Sequence, residues 1–114
     1  MHPYKRSQRL GELILAEISD LIAREIKDPR IGFVTFTRVD MSDDLRYAKV
    51  FASVMGSAPE KARTLQGLSS ATRYIRRHLG RALHLRYTPE ITFLIDESLE
   101  HGAKIAQLLR QLQA

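Results

Sequence analysis

Leu10, Leu13, Ile14, Ile18 and Leu21 recur at steps of three and four, with Glu12, Asp20 and Arg24 between them. That spacing predicts an amphipathic helix. Ser7 is its expected N-cap, and Asp28-Pro29 its expected end, because the proline ring disfavours helical geometry at the residue before it. Gly32 to Met41 is rich in β-branched and aromatic residues, and Leu45 to Val54 alternates, with Ala48, Val50, Ala52 and Val54 on one face. The polar link Ser42-Asp43-Asp44 makes these two strands a hairpin. Its other face carries Tyr47, Lys49, Phe51 and Ser53, a face suited to water or to contacts.

Ser57 followed three residues later by Glu60 is the capping-box signature of a second helix, beginning near Ala58. Helical periodicity then runs to about Leu79, either as one long helix or as two, with Gly80 placed to close it in the left-handed conformation. Leu83 to Ile95 alternates again and predicts a third strand, with Pro89 forcing an edge position or a bulge. Residues 96–112 close the chain with a short helix starting near Asp96 to Ser98 and marked by Ile105, Leu108, Leu109 and Leu112. The order is helix, strand, strand, helix, helix, strand, helix. It predicts an α+β fold whose three-stranded sheet is covered by helices on one face.

At 114 residues with 44% apolar content, the chain has material for one domain and one core, spanning 1–114 with 1–6 expected to be flexible. The absence of cysteine excludes disulfides, thiolate metal sites and thiol nucleophiles, and fits a reducing compartment, the cytoplasm by default. No early apolar run has signal-peptide length, and none approaches membrane-spanning length.

Charge changes the picture most. Between Lys61 and Glu90 stand Lys61, Arg63, Arg73, Arg76, Arg77, Arg81 and Arg86 against the single acid Glu90, while the remainder carries 11 basic and 12 acidic side chains. The formal +5 of the molecule is therefore local. A concentrated positive field on a small domain calls for a polyanion, and nucleic acid is the commonest. On a helical wheel Leu68, Ala71, Ile75, Leu79 and Ala82 share one face, with Arg73, Arg77 and Arg81 opposite and Arg76 beside them. An ordinary exposed face mixes both signs, whereas this one holds no acid. Guanidinium forks suit phosphate, and one helical turn sets them about 6 Å apart. Lys5, Arg6 and Arg9 either extend this surface as an arm or form an ordinary terminus, and Tyr74 either stacks a base or caps the core edge. Arg86 pairs with Glu90 or joins the basic surface, and Lys49 offers a further contact on the strand face.

Catalytic chemistry finds little footing. Glu97 and His101 share an i, i+4 spacing and Asp43-Asp44 sit in a turn, but each reads as ordinary capping or surface charge. His2, His78 and His84 lack metal-ligand spacing, and His78 reads as an addition to the phosphate-binding arginines. A nuclease needs clustered carboxylates to hold its metal ions, and the basic segment has one acid. No glycine-rich phosphate loop followed by lysine occurs. The bulky residues of the basic helix are about what a core requires, which leaves little to insert into a lipid surface.

Ser70 to Ile105, with IRRHLG at 75–80, LRYTPEITF at 85–93 and DES at 96–98, resembles the bacterial ribosome-binding factor A family; DPRIGFVTFT from Asp28 and YAKVFASVMG from Tyr47 resemble that family's strand regions. The resemblance implies a KH-like domain of the bacterial type, αββααβ, with a mixed sheet whose third strand runs parallel to the first. The basic row and the segment after it make Arg73, Arg76, Arg77, Arg81 and Arg86 the expected RNA contacts, and the resemblance implies a family helix kink of Ala-x-Gly form in place of the Gly-x-x-Gly loop of ordinary KH domains. Ala71-Thr72-Arg73 matches the alanine but has arginine where the family has glycine. Either Gly67 supplies flexibility there, or the backbone bends without a left-handed residue. The implied role is non-catalytic and without cofactor: binding the free small (30S) subunit and its 16S rRNA, and assisting late maturation and 5′-end processing, above all in the cold. A monomer without membrane association is expected, with a ribosome-associated GTPase as a candidate release factor.

Overall fold

The computed structural model describes residues 5–113; His2 and the rest of the segment 1–4 lie outside them. Helices α1 (Arg6–Arg24), α2 (Ala58–Ser70), α3 (Thr72–Ala82) and α4 (Ser98–Gln113) alternate with strands β1 (Val34–Met41), β2 (Tyr47–Val54) and β3 (Glu90–Ile95) in the order α1-β1-β2-α2-α3-β3-α4. Strand β2 is central, antiparallel to β1 and parallel to β3. The αββααβ body is that of a KH-like domain. The third strand is thus parallel to the second and antiparallel to the first, contrary to the expected pairing with β1's direction. The α2–α3 crossover causes this, returning the chain to the end of the sheet where β2 begins and setting Glu90 opposite Tyr47.

Helix α1 starts two residues earlier than Ser7 predicts, with Lys5 at the cap and its backbone N–H donating to Gln8 Oε1 at 3.3 Å. Ser7 is buried in the first turn. Ile14, Ile18 and Leu21 are fully buried and Ile22 joins them, while Leu13, one position off this stripe, is half exposed. The helix ends at Arg24, before the proline takes effect. A compact turn follows, in which the Asp28 carboxylate accepts from Arg30 N at 2.9 Å and from Arg30 Nη2 at 2.7 Å. These bonds hold Asp28 below the usual carboxylate pKa.

On β2 the expected alternation holds: Ala48, Val50, Ala52 and Val54 point into the core with Phe36, Ile91 and Phe93 beside them. The small residues at the centre of the sheet let the edge-strand rings of Phe36 and Phe93 approach to 6.1 Å over them. The β1–β2 register slips between Phe36 and Arg38, leaving Thr37 as a bulge residue. Its hydroxyl bonds Asp96 Oδ2 at 2.6 Å, while Asp96 Oδ1 accepts from Ser98 N at 2.9 Å and so caps α4. These bonds, that from Thr37 first, lower the Asp96 pKa to about 2.

The Ser57–Glu60 capping box forms as predicted, Ser57 Oγ accepting from Glu60 N and Glu60 Oε1 from Ser57 N. The long periodic segment is two helices, divided at Ala71 (φ −87°, ψ −3°), whose N–H is shared between the Gly67 and Leu68 carbonyls at 3.1 Å each. The chain bends there with no left-handed residue, so arginine at position 73 meets no backbone obstacle. Gly67 serves close packing instead of flexibility: a β-carbon on it would lie 2.6 Å from Ile31 Cγ1. Leu68, Ile75 and Leu79 are fully buried, whereas Ala82, at the helix end, is exposed.

Gly80 does not close α3. The helix runs through it to Ala82, and the left-handed residue is His84 (φ 52°). Residues 83–89, predicted as strand, form a loop, because β2 begins at Tyr47 and offers no partner for anything before Glu90. Pro89 is fully buried immediately ahead of β3, where its missing N–H costs nothing. Helix α4 lies within a residue or two of the expected 96–112, and its described side chains are all exposed.

Candidate nucleic-acid interface

Burial of Ile75 and Leu79 fixes the rotation of α3, and the same rotation turns Arg73, Arg77 and Arg81 outward. All three are exposed, and none forms an ion pair or hydrogen bond among the described residues. Successive members lie four residues, about 6 Å, apart along the axis. The result is a row of guanidinium groups with unspent donors.

Arg76 behaves differently. It is partly buried, with Nε donating to the Pro89 carbonyl at 3.0 Å and Nη2 to the Thr88 carbonyl at 2.9 Å. It therefore ties the 83–89 loop to α3, whereas the helical wheel set it beside the outward arginines as a phosphate contact. Its charge still contributes to the surface field, while its fork is largely committed to main chain. His78, read from sequence as a phosphate ligand, instead faces α1, its Nε2 lying 2.9 Å from Glu17 Oε2. It sits one residue round the helix from Arg77, far enough to point at a neighbouring helix. Tyr74 bridges the same two elements, its hydroxyl donating to Glu25 Oε2 at 2.8 Å, which raises the phenol pKa.

Arg76 also borders two hollows. One, of about 510 Å³, lies at the kink and is lined by Ser69, Ser70, Thr72 and Arg73. The other is a cleft of about 840 Å³ where the start of α1, the β1–β2 turn and the 83–89 loop converge. Arg6, Arg46 and Arg86 line it with Arg76, against the acids Asp44 and Glu90. Asp44 is occupied by the turn, accepting from Ser42 Oγ at 2.6 Å and Arg46 N at 3.1 Å, and these bonds lower its pKa. Arg86 lies over the Tyr87 ring at 5.6 Å and forms no ion pair with Glu90. Arg46 escaped sequence reasoning. Only its position two residues after Asp44 marked it, and nothing local joined that turn to the distant 83–89 segment.

The remaining basic residues divide. Lys5 and Arg9 flank Arg6 on the exposed first turns of α1. Lys49 alternates with buried Ala48 and Val50, so it projects from the sheet face away from the helices, opposite Asp40 of β1. It does not share a surface with Arg73, Arg77 and Arg81. On that outer face the Arg38 guanidinium lies 3.9 Å from the centre of the Phe51 ring.

Among the described residues no three His, Asp or Glu side chains gather closely enough to hold a metal ion. Glu97 pairs with Lys61 at 3.8 Å. No helix among the described residues is long and apolar enough to cross a membrane.

Fold and surface together define a KH-like α+β domain with an acid-free arginine row on its third helix and a second basic cleft beside it. The sequence profile of ribosome-binding factor A matches residues 6–109, and the chain belongs to that family. Ribosome-binding factor A of Halothermothrix orenii is 54% identical over 109 residues, covering 96% of this chain and 89% of the relative. A Thermotoga maritima ribosome binding factor A solved by NMR superposes with a TM-score of 0.75 at 34% identity, over 86% of this chain and 93% of that one. A homology model of Thermus thermophilus ribosome binding factor A, fitted into an electron cryo-microscopy map of a complex with the 30S subunit, shares the fold, with a TM-score of 0.66 at 23% identity over 80% and 96% of the two chains.

Proposed function

We propose that this protein is a non-catalytic assembly factor of the small ribosomal subunit. It binds the free 30S subunit through 16S rRNA, working in the cytoplasm as a single monomeric domain. Arg73, Arg77 and Arg81 carry the reading: three exposed guanidinium groups in register on one helix, without an acid to occupy them, match a phosphate backbone. Arg6, Arg9, Arg86 and Lys5 widen the positive field, and Arg76 organises the loop that bears Arg86. Family membership and the 30S complex of the Thermus thermophilus neighbour support the choice of partner.

Late maturation and 5′-end processing follow from binding alone. A protein that holds one conformer of an rRNA junction more tightly than its alternatives shifts the population by that difference, with no nucleotide hydrolysis. The effect matters most in the cold, where RNA rearrangement is slow, and release falls to a second factor such as a ribosome-associated GTPase. Sucrose-gradient sedimentation of a cell extract, probed for this protein, tests the reading. The protein is expected with free small subunits, and equal occupancy of free subunits and whole ribosomes refutes a maturation role.

A further inference from the structure

The cleft between the β1–β2 turn and the 83–89 loop has features that phosphate binding does not require. Two large aromatic side chains line it, Tyr47 at 54% and Tyr87 at 79% exposure. A tyrosine so exposed and so close to guanidinium groups gives up nothing to the core. The only two non-glycine residues with left-handed backbone among the described residues, Leu45 (φ 63°) and His84 (φ 52°), line the same cleft. Such conformations cost energy and persist where surrounding structure imposes them, most often around a site. The fold holds them there by the Leu45 N to Ser42 carbonyl bond at 3.0 Å and the Leu85 N to Gly80 carbonyl bond at 3.0 Å. The volume, about 840 Å³, falls in the range of ligand clefts, roughly 300–1,000 Å³.

From this arrangement we infer that the cleft is a site for an unpaired nucleotide strand, with a base stacked on Tyr87 or Tyr47 and the flanking phosphates on Arg6, Arg46 and Arg86. Aromatic faces interleaved with arginines are the chemistry of single-strand binding: every base has a face to stack, and the backbone supplies the charge. A duplex keeps its bases inside the stack and offers phosphates only. The α3 arginines therefore take backbone of either form, whereas the cleft selects unpaired strand. The inference rests on the reading that the protein binds ribosomal RNA, and it names what one part of that surface recognises.

The test uses the full chain, a fluorescein-labelled ten-nucleotide single-stranded RNA of mixed sequence, and the duplex of the same strand with its complement. The single strand is expected to bind more tightly than the duplex. Tyr87→Leu together with Tyr47→Leu should weaken single-strand binding roughly tenfold and leave duplex binding as it was, while Tyr87→Phe retains wild-type affinity. Arg46→Ala should lower the salt slope of single-strand binding by about one. The chain has no tryptophan, so tyrosine emission reports stacking directly, and its quenching by saturating strand should shrink in Tyr87→Leu. Wild-type affinity in the double leucine variant, with its melting curve unchanged, overturns the inference, as does equal binding of strand and duplex by the wild type. If the cleft variants bind strand normally while substitution of Arg73, Arg77 and Arg81 abolishes subunit association, the cleft inference alone fails. If the wild type associates with neither subunits nor strand, the proposed function fails with it.

Discussion

Replacing Arg73, Arg77 and Arg81 together with alanine separates a phosphate-binding helix from a merely charged one. None of the three has a partner among the described residues, and all lie opposite the buried Ile75 and Leu79, so the native state loses no internal bond. Each phosphate contact contributes about 0.7–0.9 to the slope of log affinity against log salt. Removing three should lower that slope by about 2–3. Between about 50 and 200 mM salt each contact accounts for roughly a threefold fall in affinity, so the wild type should lose some 20–40-fold more than the triple variant over that range. Fluorescence anisotropy with small-subunit rRNA across a salt series measures the slope, and urea denaturation checks the fold. An unchanged slope in a normally folded variant refutes the assignment of these residues to phosphate. Arg76→Ala supplies the contrast. It strips the Thr88 and Pro89 carbonyls of their donors beside a buried proline, which should cost about 1–3 kcal/mol of stability, visible as a lower urea midpoint. A double exchange of Arg76 and Arg77 would therefore confuse folding with binding, and Arg73, Arg77 and Arg81 are the cleaner set.

Asp96 should shape the acid limb of stability. Its folded pKa, lowered to about 2 by Thr37 and Ser98, lies below the ordinary carboxylate value, so its contribution is complete above about pH 4 and disappears as the pH falls through 2; urea midpoints measured from neutral pH downward should fall over that window in the wild type and less in Asp96→Asn. Gly67→Ala should destabilise, since overpacking against Ile31 costs about 1–3 kcal/mol and exceeds the roughly 1 kcal/mol of helix propensity gained. Gly102→Ala, with nothing within 4 Å, should not lower the denaturation midpoint. Ile75→Ala, which empties a fully buried site between α3 and the sheet, should cost about 2–5 kcal/mol by the same denaturation assay.

Features written in short-range pattern were legible from residue order alone. The stripe of Ile14, Ile18 and Leu21, the alternation of Ala48 to Val54 and the Ser57–Glu60 box each concern residues a few positions apart, where helix and strand geometry dictate what neighbours do. The element order and the outward row of Arg73, Arg77 and Arg81 follow from the same periodicities. Tertiary structure decided whatever depended on a distant partner. Leu85 and Tyr87 alternate like strand residues, yet a strand needs a neighbour, and β2 has none to offer before Glu90. Arginine at 76 looks like its exposed neighbours until the loop it helps to fold delivers the Thr88 and Pro89 carbonyls to it. His78 belongs to the interface with α1 because Glu17, 61 residues away in sequence, is brought to it. The cleft joins Arg6, Arg46 and Arg86 from three separate segments, and no periodicity in one segment encodes the approach of another.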